Sequence, residues 1–204
     1  MVKLIGSLSS PYVRKVRIAI IEKRIECPLL LEDVWAADTK IQYSNPLGKV
    51  PCLIRDDGSP LYDSRVICEY LDSFPPADSL IPSPLADRIE TRRWEALADG
   101  VLDAGVLIRL EHTQRETTQR SDAWLARQRA KVMAGLEVME KDLGDKEWCV
   151  AGRLTLADIA LGCVLGWLAF RLPELEWRKT NAGLCQYLDR MMLRPSFVST
   201  VPQA

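Results

Sequence analysis

The chain lacks several features that commonly identify enzymes and metalloproteins from sequence. Its 204 residues include a single histidine, His112, and its six cysteines contain no CxxC pair. A single histidine excludes a two-histidine metal motif, and the cysteine spacing lacks the close pairs of a zinc site. His112 stands within a charged stretch, residues 109–120, so we expect a solvated helix-end residue rather than a catalytic base. No metal site is predicted.

An excess of one charge and long apolar runs are also lacking. Lys and Arg number 27 against 28 Asp and Glu, which gives no electrostatic reason to expect nucleic acid or an anionic membrane as a partner. The longest apolar run, residues 159–170, is shorter than the about 20 residues that a membrane-spanning helix needs. The first residues reach polar Ser7 too early for a secretory signal. We therefore expect a cytoplasmic protein with free thiols.

The composition, 48% apolar and 27% charged, is that of a globular protein. Residues 1–75 alternate short strand-like and helix-like segments in the order strand, helix, strand, strand, strand, helix. A proline-rich segment, residues 76–86, is predicted to be a linker. Residues 87–204 have helical patterns, with residues 159–170 as the buried central helix and Thr155 and Asp158 as a capping box at its start. The predicted fold class is α/β followed by all-α.

The first motif with chemical content lies between the first predicted strand and helix, at residues 8–15 (LSSPYVRK). Ser10 followed by Pro11 is a strong helix start, with serine at the N-cap and proline in the first turn. A helix N-terminus offers unpaired N–H groups and a positive end to an anion, and a hydroxyl there can donate a hydrogen bond to a thiolate. On this motif alone, the simpler interpretation that Ser10 only caps its helix is favoured.

Two further motifs combine polar groups with turns. In residues 45–53 (NPLGKVPCL), a cis Val50–Pro51 bond would turn the backbone N–H and C=O of Val50 towards a peptide ligand, although the segment could be only a turn. In residues 61–67 (LYDSRVI), Asp63 could hold an ammonium and Ser64 a carboxylate, which together suit an α-amino acid head group. The simpler interpretation of this pair is again helix capping.

Together and in this order, these motifs resemble the cytosolic glutathione transferase family over essentially the whole chain. The resemblance rests on four segments: SSPYVRKVR (9–17), NPLGKVPCL (45–53), LYDSRVICEYL (61–71) and LTLADIA (154–160). It is strongest to bacterial members and to serine-type classes such as tau and zeta. It implies that residues 1–75 form a thioredoxin-like glutathione-binding domain and that residues 87–204 form the all-helical C-terminal domain of this family.

The resemblance also implies roles around the glutathione sulfur. Ser10 matches the residue that hydrogen-bonds the sulfur, with Ser9 as the alternative, and the position of Pro11 favours Ser10. Val50 matches the residue whose backbone pairs with the cysteinyl unit, and Pro51 after it matches a cis proline.

Other residues match the positions that hold the ends of glutathione. Asp63 and Ser64 match an acidic residue and serine that bind the γ-glutamyl end, where the family usually has glutamate in place of Asp63. Lys49 matches a position that reaches a glutathione carboxylate in several classes. Thr155 and Asp158 match the family's folding cap and are therefore structural.

The activity implied is that of a homodimeric transferase whose co-substrate glutathione attacks a hydrophobic electrophile as a thiolate. Relatives that form mixed disulfides carry cysteine at the position of Ser10, so conjugation or peroxide reduction is expected instead. Glutathione-dependent peroxidase, dehalogenase or isomerase activity stays open, as does a non-catalytic protein that binds or regulates a partner. Apolar residues could line the electrophile site, although those of the helical part could be interdomain core: Leu8, Tyr12, Leu97, Val101, Ala104 and Ile108.

Overall fold

The computed structural model describes residues 1–75 and 78–203. Contacts within the chain separate two units, one comprising Met1–Ile81 with Arg194–Ala204 and the other comprising Pro82–Leu193. Residues 76 and 77, the first two of the predicted linker 76–86, lie outside the described residues.

A four-stranded sheet with two helices forms the first unit. The strand order is β2-β1-β3-β4, in which β1 pairs in parallel with β2 and antiparallel with β3, and β3 pairs antiparallel with β4. The elements are β1 (Lys3–Gly6), α1 (Pro11–Glu22), β2 (Leu29–Leu31), β3 (Cys52–Ile54), β4 (Pro60–Leu61) and α2 (Ser64–Asp72). This mixed sheet confirms the thioredoxin-like prediction for the first part of the chain.

Close packing holds α1 against the strand that precedes it. Val13, Val16 and Ala19 of α1 are fully buried, as helical spacing of one apolar face requires. A Cβ atom on Gly6, at the end of β1, would lie 2.6 Å from Cγ1 of Val13, so glycine is needed for this approach. The sequence Gly6 to Pro11 therefore forms a short turn that delivers the chain from the sheet to the start of α1.

A buried ion pair closes the other end of the first unit. The ammonium of Lys23, just after α1, donates to the carbonyl of Asp72 at 2.9 Å and lies 3.6 Å from its carboxylate. The same carboxylate accepts from the hydroxyl of Ser79 at 2.5 Å and from the N–H groups of Leu80 and Ile81 at 2.6 and 3.2 Å. A buried charge needs such partners, and these fix the ends of α1 and α2 together.

Long helices form the second unit. They are α3 (Leu85–Thr113), α4 (Asp122–Leu143), α5 (Leu156–Arg171) and α6 (Ala182–Met191), with 3-10 segments at Thr117–Gln119, Pro173–Leu175 and Trp177–Lys179. Most of α5 is buried, as its apolar sequence predicts. Among the described residues no single helix is long and apolar enough to cross a membrane. Only α5 taken together with the segment Pro173–Lys179 has the length and composition to do so, and this pair is bent by 100°.

The helical prediction for residues 87–204 differs from the structure at its end. A short helix, α7 (Pro195–Val198), and the residues around it belong to the first unit. They do so because Arg194 pairs with Glu22 of α1 at 2.9 Å and because Phe197 is fully buried. A four-residue helix has too little periodicity to reveal such packing in the sequence.

The start of α5 confirms the predicted capping box and adds two donors to it. One oxygen of the buried Asp158 carboxylate accepts from the N–H and the hydroxyl of Thr155, both at 2.8 Å. The other accepts from the N–H of Cys149 at 2.8 Å and the hydroxyl of Tyr187 at 2.7 Å. Burial raises the pKa of Tyr187, so its phenol stays protonated and remains a donor.

Replacing Asp158 should therefore destabilise the protein more than removing any one donor. We expect Asp158→Ala to lower the free energy of unfolding by about 3–5 kcal/mol because it leaves several buried donors without an acceptor. Tyr187→Phe removes one of these hydrogen bonds and should cost about 1 kcal/mol. Urea unfolding of both variants checks this. Equal losses in the two variants would contradict the shared role of the Asp158 carboxylate.

Candidate functional site

The loop after β1 places Ser10 at the N-cap of α1. Its backbone is extended, with φ −78° and ψ 124°, and its hydroxyl oxygen accepts a hydrogen bond from the Val13 N–H at 3.3 Å. Pro11 occupies the first turn, where a missing N–H costs nothing. Because the Ser10 oxygen is the acceptor in this contact, the hydroxyl proton can point away from the helix and be donated to a ligand.

Ser9, the alternative to Ser10, belongs to the turn itself. Its hydroxyl lies 3.1 Å from that of Ser7, and its N–H donates to the Ser7 hydroxyl at 3.4 Å. Ser9 is therefore engaged within the loop, whereas Ser10 stands at the positive end of α1. This difference favours Ser10 as the residue that meets an anion.

The segment before β3 is organised by a residue to which the sequence analysis gave no role. The side chain of Asn45 is buried, donates to the Lys49 carbonyl at 2.8 Å and accepts from the Leu47 N–H at 3.1 Å. The Val50–Pro51 bond that follows is cis, as predicted. Lys49 itself is exposed and Val50 is half-buried. An Asn-Pro-Leu-Gly turn was the available signal, because asparagine side chains commonly hold turns.

The start of α2 brings Asp63 and Ser64 together as predicted, in a cap. Asp63 is the N-cap residue, and its carboxylate accepts from the Arg65 N–H at 3.0 Å. Its other oxygen accepts from the Arg65 guanidinium at 3.2 Å, in an ion pair that is about half exposed. Ser64 is buried. The Asp63 carboxylate already has a cation beside it, a partner that the sequence analysis did not anticipate.

The residues predicted to line the electrophile site belong to different units. Leu8 and Tyr12 are half-buried in the first unit, whereas the stripe of α3 lies in the second. Val101, together with Ala104 and Ile108, is buried, and a Cβ atom on Gly135 of α4 would collide with Val101 and reach Leu97. Part of this stripe thus packs against α4, and its electrophile role stays a prediction. The members of the stripe are Leu97, Val101, Ala104 and Ile108.

The cysteines and the histidine show no sign of a nucleophile or metal centre. All six cysteines are free, and burial raises the pKa of Cys27 to about 11 and also raises that of Cys52, so both stay protonated. His112 is half-buried in the last turn of α3. Within residues 1–75 and 78–203, no cluster of three or more histidine, cysteine or acidic side chains could hold a metal ion.

These features define a thioredoxin-like domain with a serine-capped helix and a cis-proline turn, joined in sequence to an all-helical unit. The same two parts match two family models, "Glutathione S-transferase, N-terminal domain" over residues 4–79 and "Glutathione S-transferase, C-terminal domain" over residues 122–190. The chain belongs to the glutathione S-transferase family, as the sequence motifs predicted.

Bacterial relatives resemble the chain over its whole length. The GST-like protein YibF of Escherichia coli is 36% identical over 98% of both chains. A glutathione S-transferase structure from Methylobacillus flagellatus with glutathione bound is 44% identical, with a TM-score of 0.96 and full coverage of both chains. Another from Methylobacterium radiotolerans, in complex with glutathione sulfonate, is 42% identical with a TM-score of 0.95, covering 100% of this chain and 95% of that one.

The N-cap geometry predicts unequal stability effects for the two neighbouring serines. We expect Ser10→Ala to lower the free energy of unfolding by about 1 kcal/mol because α1 loses its cap, and Ser9→Ala to lower it by less than about 0.5 kcal/mol. Thermal or urea unfolding of both variants, without glutathione, measures the difference. A larger loss for Ser9→Ala would mean that Ser10 is not the cap in solution.

Proposed function

We propose that this chain is an enzyme that binds glutathione in its first unit and activates the glutathione thiol for attack on an apolar electrophile. The observation that carries the proposal is the position of Ser10 at the N-cap of α1, with its oxygen accepting from Val13 N–H. Family membership and the glutathione bound to the Methylobacillus flagellatus relative support glutathione as the co-substrate.

Stabilisation of the thiolate is what the site has to supply. A free thiol has a pKa near 8.5 and is mostly protonated at neutral pH, while the thiolate is the nucleophile. A hydrogen bond from the Ser10 hydroxyl to this anion contributes about 1.5–3 kcal/mol, and the helix N-terminus adds about 0.3–1 kcal/mol. At about 1.4 kcal/mol per pKa unit, the two lower the thiol pKa by one to three units. No protein base is needed once the thiolate is the main form.

The rest of the tripeptide is held by the turn before β3 and by the segment between β4 and α2. In this proposal the backbone of Val50 pairs with the cysteinyl unit, in the manner of an added strand. Ser64, at the start of α2, binds the γ-glutamyl carboxylate, while the exposed Asp63 carboxylate binds its ammonium. Lys49 is exposed and long enough to reach a carboxylate of glutathione. The bound thiolate then attacks an electrophilic carbon, forms a C–S bond and expels the leaving group.

The competing chemistries differ in what receives the sulfur. Reduction of a peroxide, dehalogenation and isomerisation would all begin from the same thiolate. A mixed disulfide with the protein is disfavoured because serine stands at position 10 and because burial keeps Cys27 and Cys52 protonated. The identity of the electrophile and the homodimer stay predictions.

Removing the Ser10 hydroxyl should lower activity in a pH-dependent way. With glutathione at saturation and a chloronitrobenzene as the varied electrophile, we expect Ser10→Ala to reduce kcat/KM for the electrophile by about 10- to 100-fold at pH 6.5. The reason is that the pKa of the bound thiol returns towards 8.5. At pH 9.5 glutathione ionises without help, so the loss should shrink to less than about threefold.

Ser9→Ala is the matched control for this experiment, since it removes an adjacent hydroxyl from the same loop. It should retain wild-type kcat/KM within about twofold at both pH values. A large, pH-dependent loss in Ser9→Ala together with an active Ser10→Ala would transfer the thiolate role to Ser9.

The γ-glutamyl contact should affect binding rather than the chemical step. We expect Asp63→Asn to raise the dissociation constant of glutathione by about 5- to 20-fold, because an exposed charge-assisted contact to the ammonium is lost, with kcat at saturating glutathione little changed. Asp57→Asn, on the exposed turn between β3 and β4, is the control and should bind like the wild type. Calorimetric titration with glutathione measures both. Unchanged binding in Asp63→Asn would remove Asp63 from the site.

A further inference from the structure

The last residues of the chain run along α1 in the opposite direction. We call residues 194–203 the C-terminal strap. It begins beside the end of α1, where Arg194 donates to both carboxylate oxygens of Glu22 at 3.1 and 2.9 Å. The hydroxyl of Ser196 donates to the same carboxylate at 2.5 Å. These contacts with Glu22 anchor the far end of the strap. Glu22 lies about three helical turns after Ser10.

The middle of the strap holds Arg14, one turn after Ser10. Arg14 is only 1% exposed, and its guanidinium donates to the Phe197 carbonyl at 3.2 Å and to the Thr200 hydroxyl at 3.4 Å. It also lies 5.7 Å from the centre of the Phe197 ring. Phe197 and Thr200 are fully buried, so these contacts are protected from water. An arginine fork fixes the direction of its partners more closely than a single ammonium does.

The end of the strap reaches the serine loop itself. The backbone N–H of Gln203 donates to the carbonyl of Leu8 at 3.4 Å. Leu8 lies within the turn from Ser7 to Ser10, in which the Ser10 N–H donates to the Ser7 carbonyl at 3.2 Å. The strap therefore contacts the last turn of α1 at Glu22 and the first turn of α1 at Arg14. It also contacts the loop before α1, at Leu8. In the contacts with Glu22 and Arg14, the two partners are more than 170 residues apart in the chain.

We propose that residues 197–203 of the C-terminal strap position the Ser10 hydroxyl, with Arg14 and the backbone N–H of Gln203 as the positioning groups. The inference rests on the proposed role of Ser10 in glutathione activation. A hydrogen bond to a sulfur anion stabilises it only if the donor is held in place, and Ser10 stands where a loop joins a helix. Arg14 fixes the first turn of α1 to the strap, and Gln203 fixes the loop.

The thiol pKa of bound glutathione, read from its ultraviolet thiolate absorbance against pH, tests this directly. Arg14→Lys keeps the positive charge but loses the fork to Phe197 and Thr200. Gln203→Pro removes the N–H that bonds Leu8 together with the glutamine side chain, and it fixes φ at this position. Gln203→Ala removes the side chain but keeps the N–H, and it serves as the matched control. Arg194→Gln loosens the far end of the strap and controls for a general loss of stability.

We expect Arg14→Lys and Gln203→Pro to raise the bound-thiol pKa by about half a unit or more, while glutathione affinity stays within about twofold of the wild type. Gln203→Ala and Arg194→Gln should keep the wild-type pKa, even where Arg194→Gln lowers the melting temperature. If Arg14→Lys does not fold, the pair Gln203→Pro and Gln203→Ala decides.

Two results would overturn the inference. One is a wild-type thiol pKa in both Arg14→Lys and Gln203→Pro, and the other is an equal rise in Arg194→Gln. These results differ from a failure of the proposed function, which would show as an unshifted thiol pKa in the wild type itself.

Discussion

The arrangement of the first unit depends on where α1 begins. Ser10 is the N-cap of α1, supplies the acceptor for the Val13 N–H and marks the point at which the positive end of the helix lies. Gly6 allows Val13 to pack against the end of β1, which places that point beside the sheet. The position of this N-terminus is thus determined by core packing on one side and by the cap on the other.

The proposed chemistry depends on this constraint and uses no ionisable catalytic side chain. A hydroxyl and a helix end stabilise an anion but take up no proton, so their effect appears as a lower thiol pKa in the ligand. The single histidine and the burial of four of the six cysteines fit the proposed mechanism, in which glutathione brings the nucleophile. Burial also raises the pKa of the Cys52 thiol, which lies in the sheet, so this thiol does not compete as a nucleophile.

Features of the fold and the site that depend on neighbouring residues could be predicted from the sequence. The cap at Ser10, the cis Pro51 and the box formed by Thr155 and Asp158 all depend on neighbouring residues, and each is found where the motif predicted it. Together with the order of strands and helices, they sufficed for the fold and the family. The central helix expected at residues 159–170 runs over Leu156–Arg171 in the structure, so its bounds differ by one to three residues.

Contacts between distant parts of the chain were beyond sequence reasoning. Tyr187 reaches Asp158 across 29 residues and Phe197 reaches Arg14 across 183, and neither pair shares a pattern that periodicity could detect. A buried arginine is unusual on an apolar helix face, but only the structure identifies the carbonyl and hydroxyl that it meets. The ion pair between Arg65 and Asp63 is local, and it was not predicted because two charges close in sequence need not touch.

A crystal structure of the protein with glutathione bound at neutral pH would test the central claim most directly, through the distance from the glutathione sulfur to each serine hydroxyl. The account predicts that the sulfur lies within hydrogen-bond distance of the Ser10 oxygen, with the first turn of α1 directed at it and the cysteinyl backbone paired with Val50. A sulfur that contacts Ser9 instead, or that points away from the start of α1, would contradict it.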